Sequence, residues 1–256
     1  MCRTGSLCFS LLLLAAIPAI AQRVLINSHN DYEQAQPFVN AWRNKLFSIE
    51  ADIYPGDSLY VAHDKKDISP GKTLAGMYLQ PIIELYAQYR GYISDDTAYA
   101  PVLLIDIKEH SEIAIPQLVK WLSAYPAVFD RSVNPHAVQV VITGERGLPM
   151  QWKAQPSYLL FDGRPYEAYD SGSLARVAFV SHSYLNYVKE NTNTDSTIQA
   201  LAAKVHGWNK LLRLWATPDN EGSWSQLLQL GVDIINTDKV SACAAYFLQQ
   251  GRGRKP

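Results

Sequence analysis

Eight short apolar runs, each closing on polar residues, pace this chain from Val24 onward, with segments of helical spacing or polar loops between them. They cover residues 24–28, 47–53, 102–107, 138–143, 158–161, 177–180, 211–216 and 232–236. Most are continuously apolar rather than alternating, the pattern of strands covered on both faces of a parallel sheet. Strand alternating with helix eight times over predicts an α/β fold, a TIM (β/α)₈ barrel forming one domain over residues 22–256. A doubly wound open sheet is the other arrangement this alternation allows, but no glycine-rich phosphate loop follows the first run. Helices are expected over residues 38–46, 79–89, 111–124, 197–206, 224–230 and 240–249, with Pro126 ending the third. Between the fourth and sixth runs the helical signal is weak.

Residues 1–21 read as a removable secretory leader: Arg3, an apolar stretch over 11–17, then the small-x-small site Ala19-Ile20-Ala21. The stretch is shorter than the roughly 20 apolar residues a spanning helix needs, and no later segment approaches that length. The mature chain is therefore expected to begin at Gln22, to be exported to the periplasm or the medium, and to have no transmembrane segment. Of the 3 cysteines, Cys2 and Cys8 leave with the leader, so Cys243 has no internal disulfide partner and reads as a core residue. A formal net charge of −1, with basic residues concentrated only in the tail around Arg252, gives no surface for nucleic acid. A monomer acting on a small molecule or a lipid headgroup is expected.

Barrel active sites lie at the C-terminal ends of the strands, and polar residues gather there. Glu50 and Asp52, two apart in one run, share a face of the sheet. Asp106 and Lys108 repeat that parity on the next parallel run, and same-face residues of neighbouring strands meet inside a closed barrel. Three carboxylates, Glu50, Asp52 and Asp106, are then positioned to hold one Mg²⁺ or Ca²⁺, with Lys108 beside it. Pro55-Gly56-Asp57 turns the chain so that a short run over 59–62 delivers His63 back toward the same end, and His29 closes the first run. Two imidazoles flanking a bound group can act as base and acid in one reaction. Arg213 and Trp215 share a face near the end of the seventh run, where Trp215 could pack on a glycerol, inositol or choline-like group. His182, at the end of the sixth run, is a further candidate to reach the pocket.

Taken in order, His29-Asn-Asp, Glu50-Ala-Asp52, His63-Asp64, Asp106-Ile-Lys108, Arg213-Leu-Trp215 and the run from Gly231 to Asp238 resemble one superfamily over nearly the whole mature chain. It is that of the glycerophosphodiester phosphodiesterases and phosphatidylinositol-specific phospholipase C-like enzymes. The resemblance implies a TIM barrel that hydrolyses phosphodiesters, a divalent metal on Glu50, Asp52 and Asp106, an acid/base pair in His29 and His63, and phosphate binding by Lys108. Asn30 stands where glycerophosphodiesterases usually carry a phosphate-reading arginine, and Asp106 where they usually carry Glu; the Asp followed by Lys108 is more similar to the sphingomyelinase D branch. Two other outcomes fit the same residues: a lyase that forms a cyclic phosphate by internal attack, and a ligand-binding barrel without turnover.

Overall fold

The structure is a computed structural model that describes residues 23–188 and 193–254, so the expected leader lies outside the described residues. Eight parallel strands close on themselves: β1 (Leu25–Ser28), β2 (Ser48–Pro55), β4 (Val102–Ile107), β5 (Gln139–Gly144), β6 (Leu159–Gly163), β7 (Val177–Ser183), β8 (Leu212–Trp215) and β9 (Ile234–Thr237). Parallel pairing of β1 with both β2 and β9 completes the circle. The eight expected runs are these strands, and the fold is the TIM barrel the alternation predicts.

The ninth strand, β3 (Leu59–Val61), is antiparallel to the end of β2 and forms a hairpin that rises above the barrel rim. Ala62 N–H donates to the Asp52 carbonyl, and the Tyr54 hydroxyl donates to the His63 carbonyl. His63 is thereby held over Asp52.

Period-two alternation divides each strand between two environments. Outward residues pack under the helices, where Ile49, Ile53, Leu103, Ile105, Val140 and Ile142 are buried. Inward residues near the strand starts, Val102, Leu104, Val141, Phe179 and Ile234, fill the lower barrel with an apolar plug. Toward the strand ends the inward positions turn polar: Glu50 and Asp52 on β2, Asp106 on β4, Thr143 on β5, Asp162 on β6, Arg213 on β8. Barrel interiors are usually filled by branched apolar layers. Here the upper half is a charged chamber above an apolar floor.

The helices differ from expectation in instructive ways. The first is only Val39–Arg43, while the one at Gln80–Gln88 is preceded by a π-turn over Ala75–Leu79. Pro126 follows a helix that ends at Ser123 and also opens a short helix of its own, Pro126–Phe129, where proline at the first position loses no hydrogen bond. Between β5 and β7 the weak signal reflects short elements, a 3₁₀ segment (Pro149–Ala154) and one helical turn (Ser171–Leu174). In place of a long helix there, Trp152 stacks flat on Phe161 with ring centroids 4.5 Å apart, and its indole donates to the Arg146 carbonyl. Among the described residues no helix is long and apolar enough to cross a membrane.

Candidate active site

Asp52 and Asp106 are paired directly in the β2–β4 register, with Glu50 one inward step below Asp52. One ligand oxygen from each lies within 4.8 Å of the others. Each carboxylate is tethered through one oxygen. Glu50 Oε2 accepts from Asn27 Nδ2 and from Arg213 Nη1, both at 2.7 Å. Asp52 Oδ2 accepts from Lys108 Nζ at 2.7 Å and the Tyr32 hydroxyl at 2.8 Å, and lies 3.2 Å from His63 Nδ1. Asp106 Oδ2 accepts from Lys108 Nζ at 2.7 Å.

The second oxygen of each carboxylate, Glu50 Oε1, Asp52 Oδ1 and Asp106 Oδ1, has no hydrogen bond to any described residue. Asp52 Oδ1 is moreover buried without a partner, a costly state for a carboxylate oxygen. Gly144 shapes the other side of the cluster, because a Cβ built there would meet Asp106 Oδ1 at 1.9 Å and the Ile107 carbonyl at 2.3 Å. Three held carboxylates, each with one free oxygen, form a donor set that fits a hard divalent cation.

The electrostatics follow from burial and these partners. Burial works to raise the Glu50 carboxyl, but the Arg213 and His29 charges and the Asn27 hydrogen bond hold it below its ordinary value. Asp52 is raised by burial and by the charge of Asp106, against the pull of Lys108. Burial acts to lower the Lys108 ammonium, and its two carboxylate neighbours outweigh it, so Lys108 is raised and stays charged.

Both expected imidazoles flank the cluster, and both are held through Nδ1. His29 Nδ1 lies 2.8 Å from Asp238 Oδ1 across the β1–β9 seam, and His63 Nδ1 3.2 Å from Asp52 Oδ2. A carboxylate partner selects the tautomer with the proton on Nδ1. Neither Nε2 is hydrogen-bonded to a described residue, so both are free to meet a substrate. Burial acts to lower the His29 pKa, but the Asp238 hydrogen bond and the charges of Glu50 and Asp238 outweigh it and leave His29 raised. A cavity of about 60 Å³ adjoins His29, between Ala216, Asp219, Asn236 and Asp238. A cavity of about 210 Å³ lies at the opposite end of the barrel, beside Val24, Leu46 and Tyr99, away from this chemistry.

The remaining sequence candidates divide. Trp215 stands at the rim on the inward parity, 40% exposed. Asn30 Oδ1 lies 2.9 Å from the Tyr32 hydroxyl, and its backbone is left-handed at φ 45°. Arg213, expected against substrate, is buried below the mouth, where its guanidinium serves Glu50, the Ser181 hydroxyl and Asn236 and lies 3.5 Å from Asp162 Oδ2. His182 pairs in register with Leu214, opposite in parity to Ser181 and Arg213, so it faces outward. Its ring nitrogens meet Tyr187 and Asn186, and Tyr166 packs edge-on at 5.7 Å.

Sequence reading missed several participants. Asn27, two residues before His29, links Glu50 to Asn236 Oδ1 and accepts from Ser48. Asp162 Oδ2 accepts from Thr143 Oγ1 and lies 2.8 Å from Arg164 Nη1, while Asp162 Oδ1 is buried without a partner. The signal was available, since Asp162-Gly-Arg164 repeats the two-residue parity of Asp106-Ile-Lys108.

Comparison with known proteins agrees with the fold. Residues 17–154 match the AIM6-like phosphodiesterase domain, and residues 212–241 match the glycerophosphoryl diester phosphodiesterase family. The chain is 26% identical over 264 residues to the altered inheritance of mitochondria protein 6 homolog of Arthroderma benhamiae, covering 87% of this chain and 83% of that one. It is 24% identical to the altered inheritance of mitochondria protein 6 of Eremothecium gossypii, covering 86% and 69%. Among solved structures, a glycerophosphodiester phosphodiesterase from Parabacteroides distasonis superposes with a TM-score of 0.57 at 12% identity, covering 90% of this chain and 99% of that one. The chain therefore belongs to the AIM6-like phosphodiesterase family, within the glycerophosphodiester phosphodiesterase superfamily.

Proposed function

We propose that this protein is an exported phosphodiesterase that hydrolyses a glycerophosphodiester- or phosphoinositide-type headgroup with Mg²⁺ or Ca²⁺ held by Glu50, Asp52 and Asp106. The observation that carries this reading is the pair of imidazoles, each tethered through Nδ1 to a carboxylate and free at Nε2, on either side of three carboxylates with free oxygens. The leader pattern over residues 1–21 supports action outside the cytoplasm.

His29, raised by its surroundings, carries the proton that the leaving alcohol needs, and it is the general acid. His63, 55% exposed and oriented by Asp52, is the general base: its Nε2 takes a proton from water as the water oxygen bonds to phosphorus. The ester P–O bond breaks, and the departing oxygen accepts the His29 Nε2 proton. Lys108 sets a fixed positive charge beside the phosphoryl oxygens, and Arg213 keeps Glu50 ionised and in place. A bound divalent cation would supply further charge stabilisation for those oxygens.

Cleavage of glycerophosphoinositol in ¹⁸O-labelled water tests the hydrolytic reading. The label is expected in the phosphomonoester from the first turnover. A cyclic phosphate as the first product, with label entering only on its later opening, would replace hydrolysis with internal attack.

A further inference from the structure

We propose that Arg164 is a substrate-binding residue, whose guanidinium grips the non-bridging oxygens of the phosphoryl group; the identity of that anion rests on the phosphodiesterase reading. Arg164 directly follows β6 and continues the inward parity of Asp162. Its guanidinium is held at one edge by two inward-facing groups, with Nη1 2.8 Å from Asp162 Oδ2 and Nη2 donating to Thr143 Oγ1 at 3.1 Å. Thr143 in turn donates to Asp162 Oδ2 at 2.8 Å, so the hydroxyl and the carboxylate form one acceptor pair matched to the Nη1–Nη2 edge. Nη1 is further bonded to the carbonyls of Asp162 and Gly163.

Arginine has five N–H donors. Those on the side edge, Nε–H and the neighbouring Nη2–H, meet no acceptor among the described residues. That edge presents two parallel donors, the geometry that receives two oxygens of a phosphate or carboxylate. The side chain is only 16% exposed, so its rotamer is fixed before a ligand arrives and little ordering entropy remains to be lost.

Position ties this free edge to the catalytic cluster. Thr143 is paired with Asp106 in the β4–β5 register, one strand spacing away, and Asp106 carries Lys108. Lys108 and Arg164 thus stand on either side of the Asp106–Thr143 pair, both directed into the barrel mouth. The ammonium is taken up by Asp52 and Asp106, whereas Arg164 retains an unused fork.

The test is calorimetric titration of the full-length protein with inorganic phosphate in saturating Mg²⁺, comparing wild type with Arg164→Lys. Lysine keeps a charge opposite Asp162 but has no fork. Affinity for phosphate is expected to fall about tenfold or more, with KM for a cleaved diester rising in parallel and the thermal midpoint preserved. Thr143→Val, which releases Nη2 and the hydroxyl's bond to Asp162 Oδ2 but keeps the Arg164–Asp162 ion pair, is expected to weaken phosphate in the same direction and serves if Arg164→Lys does not fold. Phosphate binding within twofold of wild type in the variant, or no binding by wild type at tens of millimolar (about 10–50 mM, beyond the usual specific range), would overturn the assignment. Because the titration needs no turnover, an inactive protein whose phosphate binding still depends on Arg164 would refute the phosphodiesterase reading and keep this one.

Discussion

Lys108 Nζ lies 2.7 Å from Asp52 Oδ2 and 2.7 Å from Asp106 Oδ2, so one ammonium bridges two of the three carboxylates that fit the cation. The bridge holds apart two like charges at the barrel mouth while leaving Asp52 Oδ1 and Asp106 Oδ1 free. Lys108→Met removes it without removing much volume. The expected result is a fall of about 10²-fold or more in kcat, since the fixed charge beside the phosphoryl group is lost. Steady-state kinetics at saturating cation check this, and an unchanged kcat would remove Lys108 from the chemistry.

Gly144 sits at φ 69° with Asp106 Oδ1 where a Cβ would stand. Gly144→Ala should therefore displace Asp106 as well as strain the backbone, costing about 1–3 kcal/mol and weakening cation binding. Gly147→Ala is the control: it has the same φ of 69°, and its Cβ would meet only the flexible Gln151 side chain, at 3.0 Å. Denaturant melts should register both substitutions, and cation titration should separate them.

With His29 as the proposed general acid, its contact with Asp238 is expected to set the alkaline limb of activity. A raised His29 holds its proton above the ordinary imidazole value, and the acid form is lost as pH climbs through the raised value. Asp238→Asn removes the charge that opposes burial and leaves at most a neutral hydrogen bond, so the limb should move to lower pH. A kcat/KM profile of the two proteins checks the direction, and a limb that stays put would take the acid role from His29.

Asp31 is a buried latch under the site. It accepts from the Ser28 hydroxyl at 2.7 Å, the Phe38 N–H at 2.5 Å and the Tyr78 hydroxyl at 3.1 Å. Phe38 itself is at φ 62° within a tight turn closed by Val39 N–H on the Pro37 carbonyl. The latch thus fixes the loop that carries Tyr32 to Asp52. Asp31→Ala, which leaves three buried donors unpaired, should cost about 2–4 kcal/mol in a denaturant melt.

What was legible in the sequence follows from local periodicity. The strands were readable because each is buried on both faces. Glu50, Asp52, Asp106 and Lys108 were readable because parity along a strand survives barrel closure. The partners that tether them were not: Arg213 reaches Glu50 across 163 residues of sequence, and the seam between His29 and Asp238 spans 209. Such pairs exist only once β1 meets β9. The outward turn of His182 depends on which residue of β7 pairs with Leu214, a register the apolar run alone leaves open. Tyr78 reaches Asp31 from a π-turn for which local spacing gives no sign.

The central claim is cation-dependent cleavage of a phosphodiester at the Glu50–Asp52–Asp106 cluster. The measurement that tests it most directly is release of alcohol and phosphomonoester from a panel of glycerophosphodiesters, glycerophosphoinositol and lysophospholipids, with Mg²⁺ or Ca²⁺ and after EDTA. Turnover that EDTA abolishes, that added cation restores and that Glu50→Ala eliminates is the predicted result. Cation binding at the cluster without product from any member of the panel, or turnover indifferent to EDTA, would contradict the account.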